Sequence, residues 1–419
     1  MPRVLILADD LSGAADCGIA CVRAGLTAIV LLDSPLGEMT VDVVAIDADT
    51  RGLSAVAAAQ RMGQLVCAHA SDPELLVFKK IDSTLRGHLG PELAAVLEAR
   101  RIVVPNSVAI MAPALPAHGR TTVGGFHFVH GRPLHETDTW RSERATGEAH
   151  ILRMLQDSGL YCLHMDLATV RSSGASSCRA MAEAARTADV IVCDATTDDD
   201  LRAIAEAAAS LQGRAVWVGS AGLAHQLPKA TGLVMSEARE AGRPPETAGS
   251  VLFVIGSASR TTREQVAALL SSSAIHGIVV PPQVLLDGQG TSEWGAFAGE
   301  LGEAVDLGED VLLACGAQPE VAPADRPRLT KALGEMAATL RGRVGVLVAS
   351  GGETARKVLD RWGVLTLQLH GELEKGIPLS STVVDGDRPL SVITKAGDFG
   401  QIDTLLHCHT WLKKRGVFE

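Results

Sequence analysis

Short continuous apolar runs alternate with longer, alanine-rich stretches along most of the chain. In the first half the runs fall at residues 4–8, 28–32, 41–47, 75–80, 102–104, 190–193 and 215–218. Those at 4–8 and 75–78 contain no alternating polar position, the pattern of parallel strands buried on both faces. The intervening stretches at 14–23, 54–70, 91–98, 148–158, 178–187 and 198–211 have the length and spacing of helices. Strand–helix alternation of this kind predicts a doubly wound sheet. The polar stretch 235–249, with Pro244-Pro245 and a closing Gly249, predicts a linker. The alternation then restarts, with strands at 251–255, 277–280, 311–313, 344–349 and 391–394 and helices at 263–270, 329–340 and 354–362.

The expectation is an α/β protein of two doubly wound α/β domains, 1–235 and 245–419, with mainly parallel sheets and an active-site cleft between the domains. Residues 105–143 carry proline, glycine and histidine with little periodicity, and predict a long irregular loop of functional use.

Composition narrows the function classes. The 419 residues are 47% apolar and 21% charged, which excludes a disordered chain. Net charge is −11, so there is no broad electrostatic footprint for nucleic acid or anionic lipid. Aromatic residues make up 3%, with Tyr161 the single tyrosine, too few for base-stacking platforms. No stretch reaches the ~20 apolar residues of a membrane span. The apolar run at 4–8 is short and meets Asp9-Asp10 at once, unlike a signal peptide. A cytoplasmic protein with small-molecule partners is expected, and a homodimer by base rate. The eight cysteines are dispersed without a Cys-x-x-Cys pair, as buried thiols are.

In open α/β sheets ligands bind outside the carboxyl ends of the strands, so the strand ends are where chemistry is sought. The first strand closes on Asp9-Asp10, followed by Leu11-Ser12-Gly13 and a helix. Adjacent carboxylates there suit a general base or a magnesium contact, or one of them caps the helix. A second strand ends in Lys79-Lys80-Ile81-Asp82-Ser83-Thr84-Leu85-Arg86-Gly87. Cations for a carboxylate, with Asp and Ser for hydroxyls, suit a hydroxy acid. A third strand runs into Ser350-Gly351-Gly352-Glu353-Thr354, a glycine turn into a helix N-terminus that favours anions. The turns at Gly256-Ser257 and Ala396-Gly397-Asp398 look alike, and three such turns suit a nucleotide's phosphates.

Other signals are set aside. His407-Cys408-His409 reads as a strand that splits its residues between two faces, so no protein-held metal is expected. No Gly-x-Gly-x-x-Gly follows a strand, which counts against a dinucleotide dehydrogenase.

In order along the chain, Asp9-Asp10-Leu11-Ser12-Gly13-Ala14-Ala15-Asp16, Lys80-Ile81-Asp82-Ser83-Thr84-Leu85-Arg86-Gly87, Ala112-Pro113-Ala114-Leu115-Pro116 with Gly119-Arg120-Thr121-Thr122, Gly351-Gly352-Glu353-Thr354-Ala355 and Thr394-Lys395-Ala396-Gly397-Asp398-Phe399-Gly400 resemble the motifs of the four-carbon acid sugar kinase family. The family usually has Thr at the position of Ser12. The resemblance implies an ATP- and Mg2+-dependent kinase of threonate, erythronate or 3-oxo-tetronate, with phosphorylation at the 4-hydroxyl. It implies an N-terminal domain for the acid and a C-terminal domain for the nucleotide. It assigns Asp9, Asp10, Arg51, Lys80, Ile81, Asp82, Ser83 and Arg86 to the acid, with Asp9 or Asp82 as catalytic base. It assigns Ser257, Gly351, Gly352, Glu353, Thr354 and Gly397 to ATP. The competing readings are a non-catalytic sugar-acid sensor and a sugar-acid dehydrogenase or aldolase.

Overall fold

The computed structural model describes residues 2–32, 40–143, 147–233, 249–256, 259–272, 274–316, 325–386, 388–397 and 399–414. It divides into two compact units, Met1–Val30 with Pro35–Arg239, and Leu31–Ser34 with Glu240–Glu419.

In the first unit the strands are β1 (Val4–Ala8), β2 (Ala28–Leu31), β3 (Val43–Asp47), β4 (Leu76–Lys80), β5 (Val108–Ala112), β6 (Arg120–Val123), β7 (Phe126–Val129), β8 (Arg132–Pro133), β9 (Cys162–Met165), β10 (Val190–Cys193) and β11 (Ala215–Gly219). The main sheet runs β2-β3-β1-β4-β11-β5-β10-β9. β1 pairs in parallel with β3 on one side and β4 on the other. The strand order reverses at β1, the switch point where open sheets leave a crevice at their carboxyl ends. Every residue of β1, β3 and β5 is buried, so these strands lack alternation because helices cover both faces. β6, β7 and β8 form a separate antiparallel sheet within the stretch predicted to be irregular.

In the second unit the strands are β12 (Ser250–Ile255), β13 (His276–Val280), β14 (Val311–Cys315), β15 (Val344–Ser350), β16 (Thr366–Glu372), β17 (Pro378–Val384) and β18 (Arg388–Lys395). Their order is β13-β14-β12-β15-β18-β17-β16. The pairs from β13 to β18 are parallel, and β17 is antiparallel to both neighbours. The reversal here falls at β12. The core gathers Phe253, Ile255, Leu312, Val348, Ile393 and Leu405.

Two predicted elements are corrected. Residues 102–104 are not a strand: the helix Leu89–Val103 takes in the first two, and Val104 is its C-cap. Arg100, 1% exposed, donates to the carbonyls of Ala70, Asp72, Pro73 and Leu75, and Ile102 faces solvent. Tertiary hydrogen bonds override the weak β preference of a three-residue run. His407-Cys408-His409 lies in the helix Thr404–Lys414, with Leu405, Cys408, His409 and Leu412 buried at helical spacing. Among the described residues no helix is long and apolar enough to cross a membrane. All eight cysteines are free thiols.

Candidate active site

Three loops meet at the switch point of the first unit. β1 delivers Asp9 and Asp10. Asp10 caps the helix Leu11–Val22, its Oδ1 accepting from Gly13 N at 2.9 Å. After β3, the Asp47 carboxylate accepts from the N–H of Asp49, a left-handed residue at φ 46°. The turn it makes presents Arg51, whose Thr50 neighbour donates its N–H to the Asp9 carbonyl. β4 delivers Lys80 and Asp82, and Ile81 is fixed by donation from its N–H to Gly219 O.

Arg51 binds all three site carboxylates. Its Nε donates to Asp9 Oδ2 at 2.8 Å, Nη1 meets Asp10 Oδ2 at 2.9 Å, and Nη2 meets Asp82 Oδ1 at 3.2 Å. The planar five-donor guanidinium is the side chain that can fork this way. Asp82 is saturated. Its Oδ1 also accepts from Arg86 Nη2 at 2.7 Å, and Oδ2 accepts from Arg86 Nε at 3.0 Å, Thr84 N at 2.9 Å and the Thr84 hydroxyl. Leu85, inside this turn, is buried and left-handed at φ 57°. A non-glycine residue there costs roughly 1–2 kcal/mol, and such strain clusters at functional sites. Burial pushes the Asp82 carboxyl up, but Arg86 and Arg51 outweigh it and hold the group well below its usual value.

Asp9 is only half engaged. Its Oδ2 is taken by Arg51, whereas Oδ1 is buried and accepts no hydrogen bond from the described residues. Burial raises this carboxyl, and Arg51, Lys79 and Lys80 together bring it below its usual value. Lys80, 6% exposed, makes no hydrogen bond or ion pair with the described residues. Its ammonium lies over the first turn of the helix Leu11–Val22, where a Cβ at Gly13 would come within 2.8 Å of Nζ. Burial disfavours the charge, but Asp10 and Asp9 outweigh burial and raise its pKa. Lys79 points elsewhere and pairs with Glu92 at 2.8 Å.

Ser83 is held by the protein on two atoms: Arg120 Nη1 donates to its hydroxyl, and His127 Nε2 donates to its carbonyl at 2.8 Å. Arg120 stands in the quoted proline-rich motif. His127 carried no sequence signal.

In the second unit, Ser257 lies outside the described residues. Gly351, at φ 106°, ends β15 and opens the helix Gly352–Arg361. Its N–H donates to Lys395 O, and Gly256 N–H donates to Ser350 O, so the ends of β12, β15 and β18 are tied together. Thr354 is buried, with its hydroxyl against Gly256, and Glu353 is exposed. The Gly397 carbonyl accepts from Ser259 Oγ, Thr262 Oγ1 and Lys395 Nζ. This is a glycine-lined helix N-terminus, the form of a phosphate site. No group of three or more His, Cys, Asp or Glu among the described residues is arranged to hold a metal.

Residues 4–227 match the family described as a sugar-binding N-terminal domain, and residues 252–405 match a nucleotide-binding C-terminal domain. A D-threonate kinase of Cupriavidus necator is 39% identical over 96% of both chains. A D-threonate kinase of Bordetella bronchiseptica is 32% identical over 99% of this chain and 98% of its own. A D-erythronate kinase of Heliobacterium modesticaldum is 27% identical over 98% and 97%. A solved Salmonella typhimurium structure shares the fold with a TM-score of 0.81 at 22% identity, over 97% of this chain and 99% of its own.

Proposed function

The chain belongs to the four-carbon acid sugar kinase family and is a sugar-acid kinase, and we propose that it transfers the γ-phosphoryl group of ATP to the 4-hydroxyl of D-threonate. The first unit binds the acid and the second the nucleotide, with Gly351, Gly352, Glu353, Thr354, Gly397 and Ser257 on the ATP side. Mg2+ would arrive on the phosphates of ATP and bridge them there, as in phosphoryl transfer generally.

The observation that carries the acid half is the pairing of two uncommitted groups at one switch point. Among the described residues, Lys80 is a buried ammonium that feels Asp10 and Asp9 but makes no hydrogen bond or ion pair, and Asp9 Oδ1 is a buried acceptor with no donor. Each charge bears on the other. A hydroxy acid brings what both lack, a carboxylate for Lys80 and a hydroxyl proton for Asp9. Arg51 and Arg86 are spent on Asp9, Asp10 and Asp82, so they organise the carboxylates and leave Lys80 as the cation for the substrate. Asp82 has its oxygens filled and is held strongly ionised, which makes it an anchor rather than a base. Asp9 is therefore the residue that takes the 4-hydroxyl proton. Phosphoryl transfer asks little covalent chemistry of a protein beyond this placement and charge neutralisation.

A coupled ADP-release assay with ATP and Mg2+ tests the reading against D- and L-threonate, D- and L-erythronate and the 3-oxo-tetronates. D-threonate should give the highest kcat/KM. Silence across the panel from folded protein overturns the activity.

The ATP side has its own probe. A Cβ at Gly256 would run into the Thr354 side chain, so Gly256→Ala must push Thr354 out of its place in the first turn of the glycine-opened helix. Overpacking of this size is expected to raise the KM for ATP about tenfold, ~1.4 kcal/mol, with the KM for the acid unchanged. Steady-state kinetics in both substrates checks the split, and equal movement of both constants would contradict it.

A further inference from the structure

We propose that His127, on the β6–β7 hairpin, is a positioning residue that sets Ser83 for acid binding, an inference that rests on the acid site proposed for the 80–86 loop. His127 is fully buried and lies 44 positions along the chain from Ser83. A carbonyl oxygen can only accept, so the 2.8 Å contact with Ser83 O requires the proton on Nε2. The other nitrogen, Nδ1, is then an acceptor and accepts a hydrogen bond from the Thr122 hydroxyl at 3.1 Å. Both ring nitrogens are satisfied by one neutral tautomer. Burial, with a smaller push from Arg120, lowers the imidazole pKa to about 4, so the ring stays neutral under ordinary conditions.

The hairpin that carries His127 is itself held firmly. The N–H groups of Gly124 and Gly125, in its turn, donate to the Asp194 carboxylate at 2.7 and 3.0 Å. His164 Nε2 meets the same carboxylate at 3.0 Å. Thr122 and Ala195 exchange two backbone hydrogen bonds. The end of β10 thus anchors the hairpin, and the hairpin grips Ser83 by its carbonyl through His127 and by its hydroxyl through Arg120. The next residue, Thr84, gives its N–H and hydroxyl to Asp82, so the orientation of the Ser83 carbonyl bears on that anchor as well. Without the imidazole, a buried carbonyl loses its donor and the loop must move to find another.

The test is calorimetric binding of D-threonate without nucleotide, beside steady-state kinetics and thermal melts. His127→Leu should weaken acid binding about tenfold and raise the acid KM to match, with kcat and the KM for ATP within about twofold of wild type. His127→Gln keeps an N–H donor and should recover most of the loss. A merely structural role would move stability and both substrates together. The wild-type protein with 15N-labelled histidine serves even where a variant fails to fold: saturating acid should shift the His127 Nε2–H resonance. Normal acid affinity in folded His127→Leu, or an unmoved resonance at saturation, overturns the proposal. Wild-type protein that binds the acid without releasing ADP would instead overturn the kinase reading and leave the positioning role standing.

Discussion

Asp9→Asn should cut kcat by about 10²–10⁴-fold at saturating acid and ATP, the usual worth of a positioned general base. The amide preserves shape and can still turn an oxygen toward Arg51 Nε, so the loss reports the missing proton acceptor. Asp82→Asn should behave differently. That side chain collects six hydrogen bonds from Arg51, Arg86 and Thr84, and the neutral amide cannot accept them all. Its cost should fall mainly on acid KM and stability. The pH profile gives a second reading of Asp9. Arg51 and the two lysines hold it below its usual value despite burial, so it stays ionised down to the ordinary carboxylate range and below. The acid limb of kcat/KM owed to this group should therefore lie under about pH 4. Near-normal turnover in Asp9→Asn, with a hundredfold loss of kcat in Asp82→Asn, would transfer the base to Asp82.

Why the residues of this site could be singled out from the chain, while their division of labour could not, follows from the distances involved. Asp9-Asp10 and Lys80–Arg86 stand at the ends of continuous apolar runs, and a doubly wound sheet brings such ends to one edge. The α/β pattern was legible for the same reason: β1 and β3 are buried on both faces, so nothing interrupts their apolar runs. The roles within the site depend on contacts across 31 to 44 positions, such as Arg51 to Asp82 and His127 to Ser83. No local pattern records that Arg51 is consumed by three carboxylates while Lys80 makes no hydrogen bond or ion pair among the described residues. The β6–β7 hairpin escaped notice because glycine, proline and histidine hide its alternation. Residues 102–104 misled in the opposite sense, since a β-branched run there is only the exposed end of a helix whose Arg100 is locked by four carbonyls.

Arg51→Ala should be the most destabilising single change at the site. It strips the shared cation from Asp9, Asp10 and Asp82, leaving two of them almost fully buried. Breaking a buried pair costs ~3–5 kcal/mol, and the 14% exposure of Arg51 argues for the lower end. For a unit of this size that corresponds to a drop in Tm of about 6–12 °C. Arg51→Lys should recover little, because one ammonium cannot fork to three carboxylates. Acid KM should also rise, since the incoming carboxylate would face unscreened negative charge. The pH dependence separates electrostatics from lost packing. In the wild-type protein Asp9 and Asp82 titrate below their unfolded value, so they contribute stability above it that is lost as pH falls through their folded values. Without Arg51, burial and mutual repulsion raise the folded value of Asp9, whose chief lowering cause was Arg51, while Arg86 continues to hold Asp82 low. Asp9 in the variant therefore takes up its proton at a higher pH than in the wild type, and the variant's deficit should shrink as pH falls from neutral into the carboxylate range. Melts of both proteins across that range decide the matter: a deficit that does not change with pH would mean that Arg51 acts through packing, and the charge network would lose its role as the frame that holds Asp9 ionised beside Lys80.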